Sequence, residues 1–504
     1  MRFSHVLPAM AAAAAAPALA ETNLSLMPTG DDLVALVLPQ PADPRRNYLP
    51  LPADEDWRWL KNAKDHDLFD PIKSIPLGGG DGSDLSLSIG GSMRVRYENK
   101  INAAFGGTTQ TAPTKDDDYF LERAYIHADI RYLSYVRLFV EGEFAYLDGN
   151  QRFPAPTPFP SDDNDLHQVF IDISPFNYAK DGFGFTLRLG RQELLFDKQK
   201  LVGPLDWANT RRTWDGGSAM FQWEQFKAEL FWVRPVVVNP KWLDTTDGDT
   251  NFIGTYLTHP LFNKDNNFSL FTYYLNRSRN TKSTFSPGAT EFNPDLRAGD
   301  TDRVTIGGRV WGKWDVTSSG FVDYDAEGGA QVGRLAQNDI LAGYFSGELG
   351  YTFSNVWGKP RISGGFDYAS GDNGRDHQSN TFDQLFPTGH MYLGYLDFIG
   401  RQNIIAENIT LAVNPTPQLK LWTSWHYFCL ASANDALYNA AGAALRFNSA
   451  GTAGTTVGNE LDVTASYQLG RHTTIIAGYG VFFPGDFIQN TGKSEMAQMV
   501  YSSV

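Results

Sequence analysis

The sequence predicts an all-β chain: a transmembrane antiparallel up-and-down β-barrel of about 16–18 strands, with 18 favoured. Three observations carry this expectation. Apolar and polar residues alternate with a period of two from Asp84 onward. The composition is rich in Gly (48), Phe (34), Tyr (22) and Trp (12), yet only 42% hydrophobic. Short and long connections follow one another between the alternating segments, as short periplasmic turns and long external loops do on successive hairpins.

The N-terminus, "MRFSHVLPAMAAAAAAPALA", has a charged start, an alanine-rich apolar stretch and an Ala18-Leu19-Ala20 cleavage site. This is the pattern of a secretory signal peptide, residues 1–20, with cleavage before Glu21. Residues 21–82 are rich in Pro and charge and lack alternation. They predict an irregular, plug-like periplasmic segment with one helical turn near Trp57–Asn62, ending at the Gly78-Gly79-Gly80 run. The barrel is expected over residues 83–504.

"DLSLSIGGSMRVRYENK" opens the barrel. Leu85, Leu87, Ile89, Met93, Val95 and Tyr97 share one face, and Arg94, Arg96 and Glu98 share the other. In "LERAYIHADIRY", Ala124, Ile126, Ala128 and Ile130 oppose Arg123, His127, Asp129 and Arg131. In "VRLFVEGEFAY", Val136, Leu138, Val140 and Phe144 oppose Arg137, Glu141 and Glu143. Arg188 in "FTLRLGRQELLF", and Arg303 and Arg309 in "DRVTIGGRVWG", fall on polar faces too. In "GNELDVTASYQLG" the polar face carries Glu460 and Asp462. Between strands lie short links such as "YLSY" and long ones such as "DGNQRFPAPTPFPSDDNDLH". Tyr132, Tyr135, Tyr146, Trp232, Trp311, Trp314 and Tyr351 stand near strand ends, as the aromatic girdles of a membrane barrel do. A soluble β-sandwich or β-helix is the competing architecture, since strand patterning alone fits it as well. The ending "EMAQMVYSSV" suggests a last strand that begins and then stops, without the terminal aromatic usual in such barrels.

In a barrel the apolar face meets lipid and the charged face meets the aqueous lumen. The first half then places Arg94, Arg96, Arg123, Arg131, Arg137 and Arg188 inward. Arg191, Arg211 and Arg212 join them as candidates, and Arg303 and Arg309 follow later. The later strands contribute Asp323, Glu348, Asp367, Glu460 and Asp462. An arginine-lined path concentrates anions and pairs with carboxylates bidentately. The bland reading of each arginine is a structural Arg–Glu ladder that holds a wide barrel open.

Net charge is −15, which disfavours a nucleic-acid partner. The single cysteine, Cys429, excludes an intrachain disulfide and reads as a packing residue. The acidic loops "TKDDDY", "SDDNDL", "DTTDGDT" and "SGDNGRDHQ" read as solvated, or as bridged by divalent ions to lipopolysaccharide; none has the spacing of a calcium loop. There is no G-x-S-x-G, H-E-x-x-H or P-loop, and His127, His167 and His426 show no ligand spacing. No enzyme, metal or cofactor is expected.

The chain also resembles the alginate-export family of outer-membrane barrels. "DLFDPIKSIPL", "LERAYIHADIRY", "DLHQVFIDI", "LRLGRQEL", "NTRRTWDG" and "GYGVFFPGDFI" carry the resemblance in order along the chain. It implies an 18-stranded monomeric barrel passing an anionic uronate polysaccharide across the bacterial outer membrane, with periplasmic export partners. It suggests Arg188, Arg191, Arg211 and Arg212 as pore-lining residues, although Arg191 is out of phase with Arg188 unless a bulge intervenes. The expected function is passive passage of an alginate-like poly- or oligosaccharide. The alternatives are a nutrient-uptake porin for small oligosaccharides and a structural or adhesive barrel without transport. A lumen filled by an ordered loop or by residues 21–82 would favour the last.

Overall fold

The computed structural model describes residues 48–504 except 64–65, 79–82, 107–115, 151–160, 264, 279–298, 374–377, 391 and 449. The expected signal peptide, the first part of the plug-like segment and most of the glycine run lie outside the described residues.

Eighteen antiparallel strands form one closed ring. They are β1 (Leu85–Ile101), β2 (Asp117–Tyr132), β3 (Val136–Asn150), β4 (Asp162–Phe176), β5 (Phe183–Gln192), β6 (Trp214–Trp223), β7 (Phe226–Val237), β8 (Thr250–Asn263) and β9 (Asn266–Arg277). The ring continues with β10 (Thr301–Thr317), β11 (Gly320–Leu335), β12 (Asn338–Phe353), β13 (Arg361–Ala369), β14 (Ile404–Thr416), β15 (Leu419–Leu430), β16 (Thr456–Gln468), β17 (Thr474–Pro484) and β18 (Ala497–Ser503). Each pairs with the next in sequence. β18 closes the ring by pairing with β17 on one side and β1 on the other, from Arg96↔Ser503 to Ile101↔Gln498. The short final segment is therefore a paired strand that closes the ring over Arg96–Ile101 of β1, and Ile75–Leu77 pairs with Leu85–Leu87 on the same side.

Alternation sorts the side chains as the barrel requires. Met93, Ile126, Leu189, Trp232, Ile306, Leu349, Ile409 and Val463 stand exposed on the outer face. Arg96, Arg123, Asp129, Arg137, Arg188, Asp325 and Glu460 are buried on the inner one. Tyr132, Tyr146, Trp232 and Trp314 are exposed, as girdle residues are. Trp311 is an exception. It is odd-numbered on β10, like Arg303 and Arg309, so it faces inward, is buried, and lies 4.3 Å from the Arg309 guanidinium.

Connections of a few residues join β2–β3, β6–β7, β10–β11 and β14–β15 at one end, where the described N-terminal segment and the C-terminus also lie. That end is periplasmic and the long-loop end extracellular. The described residues between 48 and 78 cross the inside of the periplasmic end. They form a 3-10 turn at Arg58–Asn62, and a short strand, Ile75–Leu77, pairs with the start of β1.

Candidate functional site

The lumen holds an apolar core built from extracellular loops turned inward. Leu194, Phe196, Leu201 and Val202 of the β5–β6 connection pack with Leu385, Phe386, Leu396 and Phe398 of the β13–β14 connection. The sequence explains the fold of the first loop. Its apolar residues cannot remain in water, and Asp197, Gln199 and Leu205 turn the chain with φ of 49°, 59° and 59°. The two loops join through a parallel bridge, Val202↔Phe386, with Phe386 N donating to Leu201 O at 2.8 Å.

The β5–β6 loop spans the lumen between an arginine cluster on β1 and β2 and the Asp325 carboxylate on β11. Toward β1 and β2 it presents Asp206. Arg123 donates to Asp206 Oδ1 at 2.8 Å, Arg211 lies 3.3 Å from the same oxygen, and Arg94 lies 3.8 Å from Oδ2. The same arginines take the loop's carbonyls. Arg94 donates to Asp206 O and Ala208 O at 2.7 Å each, and Arg123 donates to Ala208 O at 2.9 Å. Arg96 donates to Trp207 O at 2.6 Å and lies 3.8 Å from the Trp207 ring, which stacks on His390 at 3.6 Å. On the far side of the ring, Lys198 and Lys200 reach Asp325 of β11 at 3.5 and 3.3 Å.

Electrostatics follow from this burial. Burial pushes the Asp206 carboxyl up, but Arg123, Arg211 and Arg94 more than offset it and hold it below the usual carboxylate range. Burial works to lower Arg211, and Glu193 and Asp206 outweigh it, so its guanidinium rises. Lys198 is lowered to about 8, by burial first, with Asp325 pulling the other way.

The remaining sequence candidates sort by what they hold. Arg212 donates to Gly203 O at 2.9 Å and Phe386 O at 2.6 Å, fastening both loops together. Arg303 bonds Gln331 at 2.7 Å and approaches Asp383 of the β13–β14 loop at 3.7 Å. Arg309 bonds Asp325 at 2.9 Å and Asp197 at 3.2 Å. Arg131 and Arg137 share Asp129 at 2.9 and 2.7 Å and hold the carbonyls of Glu55 and Ala53 in the N-terminal segment. Arg188 pairs with Asp172 of the wall at 2.8 Å.

Arg191 is not in the lumen. The β4–β5 and β5–β6 ladders run without a slip at this point, so it stays in phase with Leu189 and Val169 on the outer face and pairs with Asp215 at 2.9 Å. Gly190, at φ +133°, lets the strand approach Phe170 without shifting that phase.

Asp206, Lys198, Lys200 and Arg401 were not candidates from sequence. Arg401 pairs with Asp367 of β13 at 3.0 Å and donates to Lys200 O at 3.2 Å. Their only sequence signal is apolar residues interleaved with charge in a long connection. Among the described residues, the one acidic group with metal-ligand spacing lies at the extracellular rim, outside this inner site.

A closed barrel with an apolar outer belt, a charged lumen and infolded external loops defines a channel of the bacterial outer membrane. The chain belongs to the alginate-export family, whose model matches residues 85–502. Comparison with curated proteins found no match. Among solved structures it is similar to the Pseudomonas aeruginosa outer-membrane protein OpdK, at 11% identity and TM-score 0.55, covering 83% of this chain and 98% of that one. It is also similar to Pseudomonas aeruginosa OccK9 (OpdG), at 12% identity and TM-score 0.54, over 84% and 98%. OpdK solved with vanillate matches at 10% identity and TM-score 0.54, over 83% and 97%. At these identities the likeness is one of fold.

Proposed function

We propose that this channel passes anionic, carboxylate-bearing saccharides of the polyuronate type, and that the arginines around Asp206 are where they are recognised. The observation that carries this is the convergence of Arg94, Arg123 and Arg211 on one carboxylate of the chain's own loop. Asp206 stands where a uronate carboxylate would stand. A substrate carboxylate competes with it for the same guanidinium groups. A carboxylate that draws Arg94 and Arg123 to itself takes them from the Asp206 side chain and from the carbonyls of Asp206 and Ala208 together, and passage is thereby coupled to loop displacement. Multiple weak contacts along the lumen allow the solute to leave.

Equilibrium binding of an oligouronate to the refolded protein tests this reading. Asp206→Asn, which removes the internal competitor, raises affinity several-fold. Arg94→Gln with Arg123→Gln lowers it about a hundredfold or more, as expected when two charge-assisted bonds of about 1.5–3 kcal/mol each are lost. A neutral oligosaccharide of equal length responds to neither. Equal binding of both sugars to all three proteins contradicts the reading.

A second reading is uptake of small carboxylates. The loop that crosses the lumen favours it, because a small solute passes a narrowed lumen more readily than a polymer does. The OpdK structure with vanillate shows that protein with a small aromatic carboxylate.

A further inference from the structure

We propose that Asp162, Asp165 and Asp244 form a divalent-cation site of the calcium type at the extracellular rim. Asp162 and Asp165 sit at the outer end of β4, and Asp244 sits on the β7–β8 connection. One carboxylate oxygen from each lies within 4.8 Å of the others. Asp162 is only 1% exposed, and its Oδ2 has no hydrogen-bond partner among the described residues. A buried carboxylate oxygen without a donor is costly, and a cation is one of the few things that satisfies it.

The surrounding bonds hold the three groups together without neutralising them. Asp244 N donates to Asp165 Oδ2, Asn239 N donates to Asp244 Oδ1 at 2.6 Å, and Asp163 N donates to Pro240 O at 3.3 Å. Arg191 is 3.9 Å from Asp165, pairs with Asp215 at 2.9 Å and donates to Asp244 O at 3.2 Å. His167 bridges Glu143 and Glu193 at 2.9 Å each. Oxygen-only ligands select a hard ion, and donors drawn from a strand end and a loop suit the variable geometry of calcium. The bound ion would pin the β7–β8 connection to the top of β4.

The test is calorimetric titration of the full-length, detergent-refolded and chelator-treated protein with calcium chloride. Luminescence of terbium, sensitised by Tyr146, serves as a second readout, because the Tyr146 hydroxyl bonds Asp163 O at 2.9 Å. One ion per chain is expected, in the range of about 10⁻⁴ to 10⁻³ M typical of extracellular sites. Asp162→Asn and Asp244→Asn each weaken it at least tenfold, while Asp339→Asn, on an exposed pair with Arg334, leaves it unchanged. If Asp162→Asn fails to refold, Asp244→Asn decides alone, since Asp244 lies outside the barrel strands. Absence of saturable binding at millimolar calcium overturns the proposal. So does Asp244→Asn protein that binds calcium as tightly as the parent.

Discussion

Lys198 shows how a single side chain on the crossing loop sets its hold on the wall. Its ammonium is buried, 3.5 Å from Asp325, with Lys200, Arg309 and Glu348 also acting on it. In the seated loop its pKa is about 8; in a displaced, solvated loop it returns toward its ordinary 10.5. Between those values the displaced state binds more protons, so rising pH favours the seated state. Open probability in a planar bilayer is therefore expected to fall between about pH 8 and 10.5, by up to about tenfold per unit. Lys198→Met removes that dependence; a profile that rises, or that survives the substitution, contradicts the assignment. At this scale the sequence was partly legible. Period-two alternation places Arg94, Arg123, Arg188 and Arg309 inward because successive side chains on a strand point to opposite faces. It also places Arg191 outward, against the motif resemblance. It says nothing of partners, because Asp206 lies far from Arg94 and Arg123 along the chain.

Among elements, the strands were the most legible part, since half-buried strands must alternate and the turns between them are short. Trp311 misled because an aromatic near a strand end reads as a girdle residue, while its odd phase with Arg309 decided its face. The infolded loops were not legible. The β5–β6 connection has no period, and its apolar residues serve a core made with another loop nearly two hundred residues away. The helical turn near Trp57–Asn62 was legible, but not where its segment sits. We propose that residues 48–78 act as a plug in the periplasmic mouth, held by Arg131 and Arg137 through the carbonyls of Glu55 and Ala53 and covering Phe139 and Phe170 with Ala53. Deletion of residues 48–72, which leaves Ile75–Leu77 to pair with Leu85–Leu87, should leave a heat-modifiable, folded barrel, because the ring from β1 to β18 pairs without them. It should raise single-channel conductance at least about twofold. Unchanged conductance in a folded deletion protein would show that the segment does not obstruct the path.

For the molecule as a whole, the inner face mixes both signs. Arginines of β1 to β5 stand among Glu98, Asp129, Glu141, Glu143 and Asp172, the carboxylates Asp325, Glu348 and Asp367 of β11 to β13 stand with Arg309 and Arg361, and the β5–β6 loop bridges the arginine cluster and Asp325. The arginine cluster around Asp206 is where the proposed anion recognition would lie in a chain of net charge −15. Attraction in the buried lumen is screened far less than attraction between exposed charges, so the proposed recognition should persist at physiological salt. A filled lumen would suit a purely structural barrel, yet apolar packing alone would seat these loops. Their placement of Asp206 among three arginines instead matches a carboxylate that exchanges with one from solution. The most direct test is single-channel current across a planar bilayer in a salt gradient, with oligouronate and then a neutral oligosaccharide added. Wild-type protein is expected to prefer anions and to be blocked by oligouronate alone, and Arg94→Gln with Arg123→Gln to lose both properties while remaining folded. An unchanged reversal potential and equal block in that double variant would contradict the account.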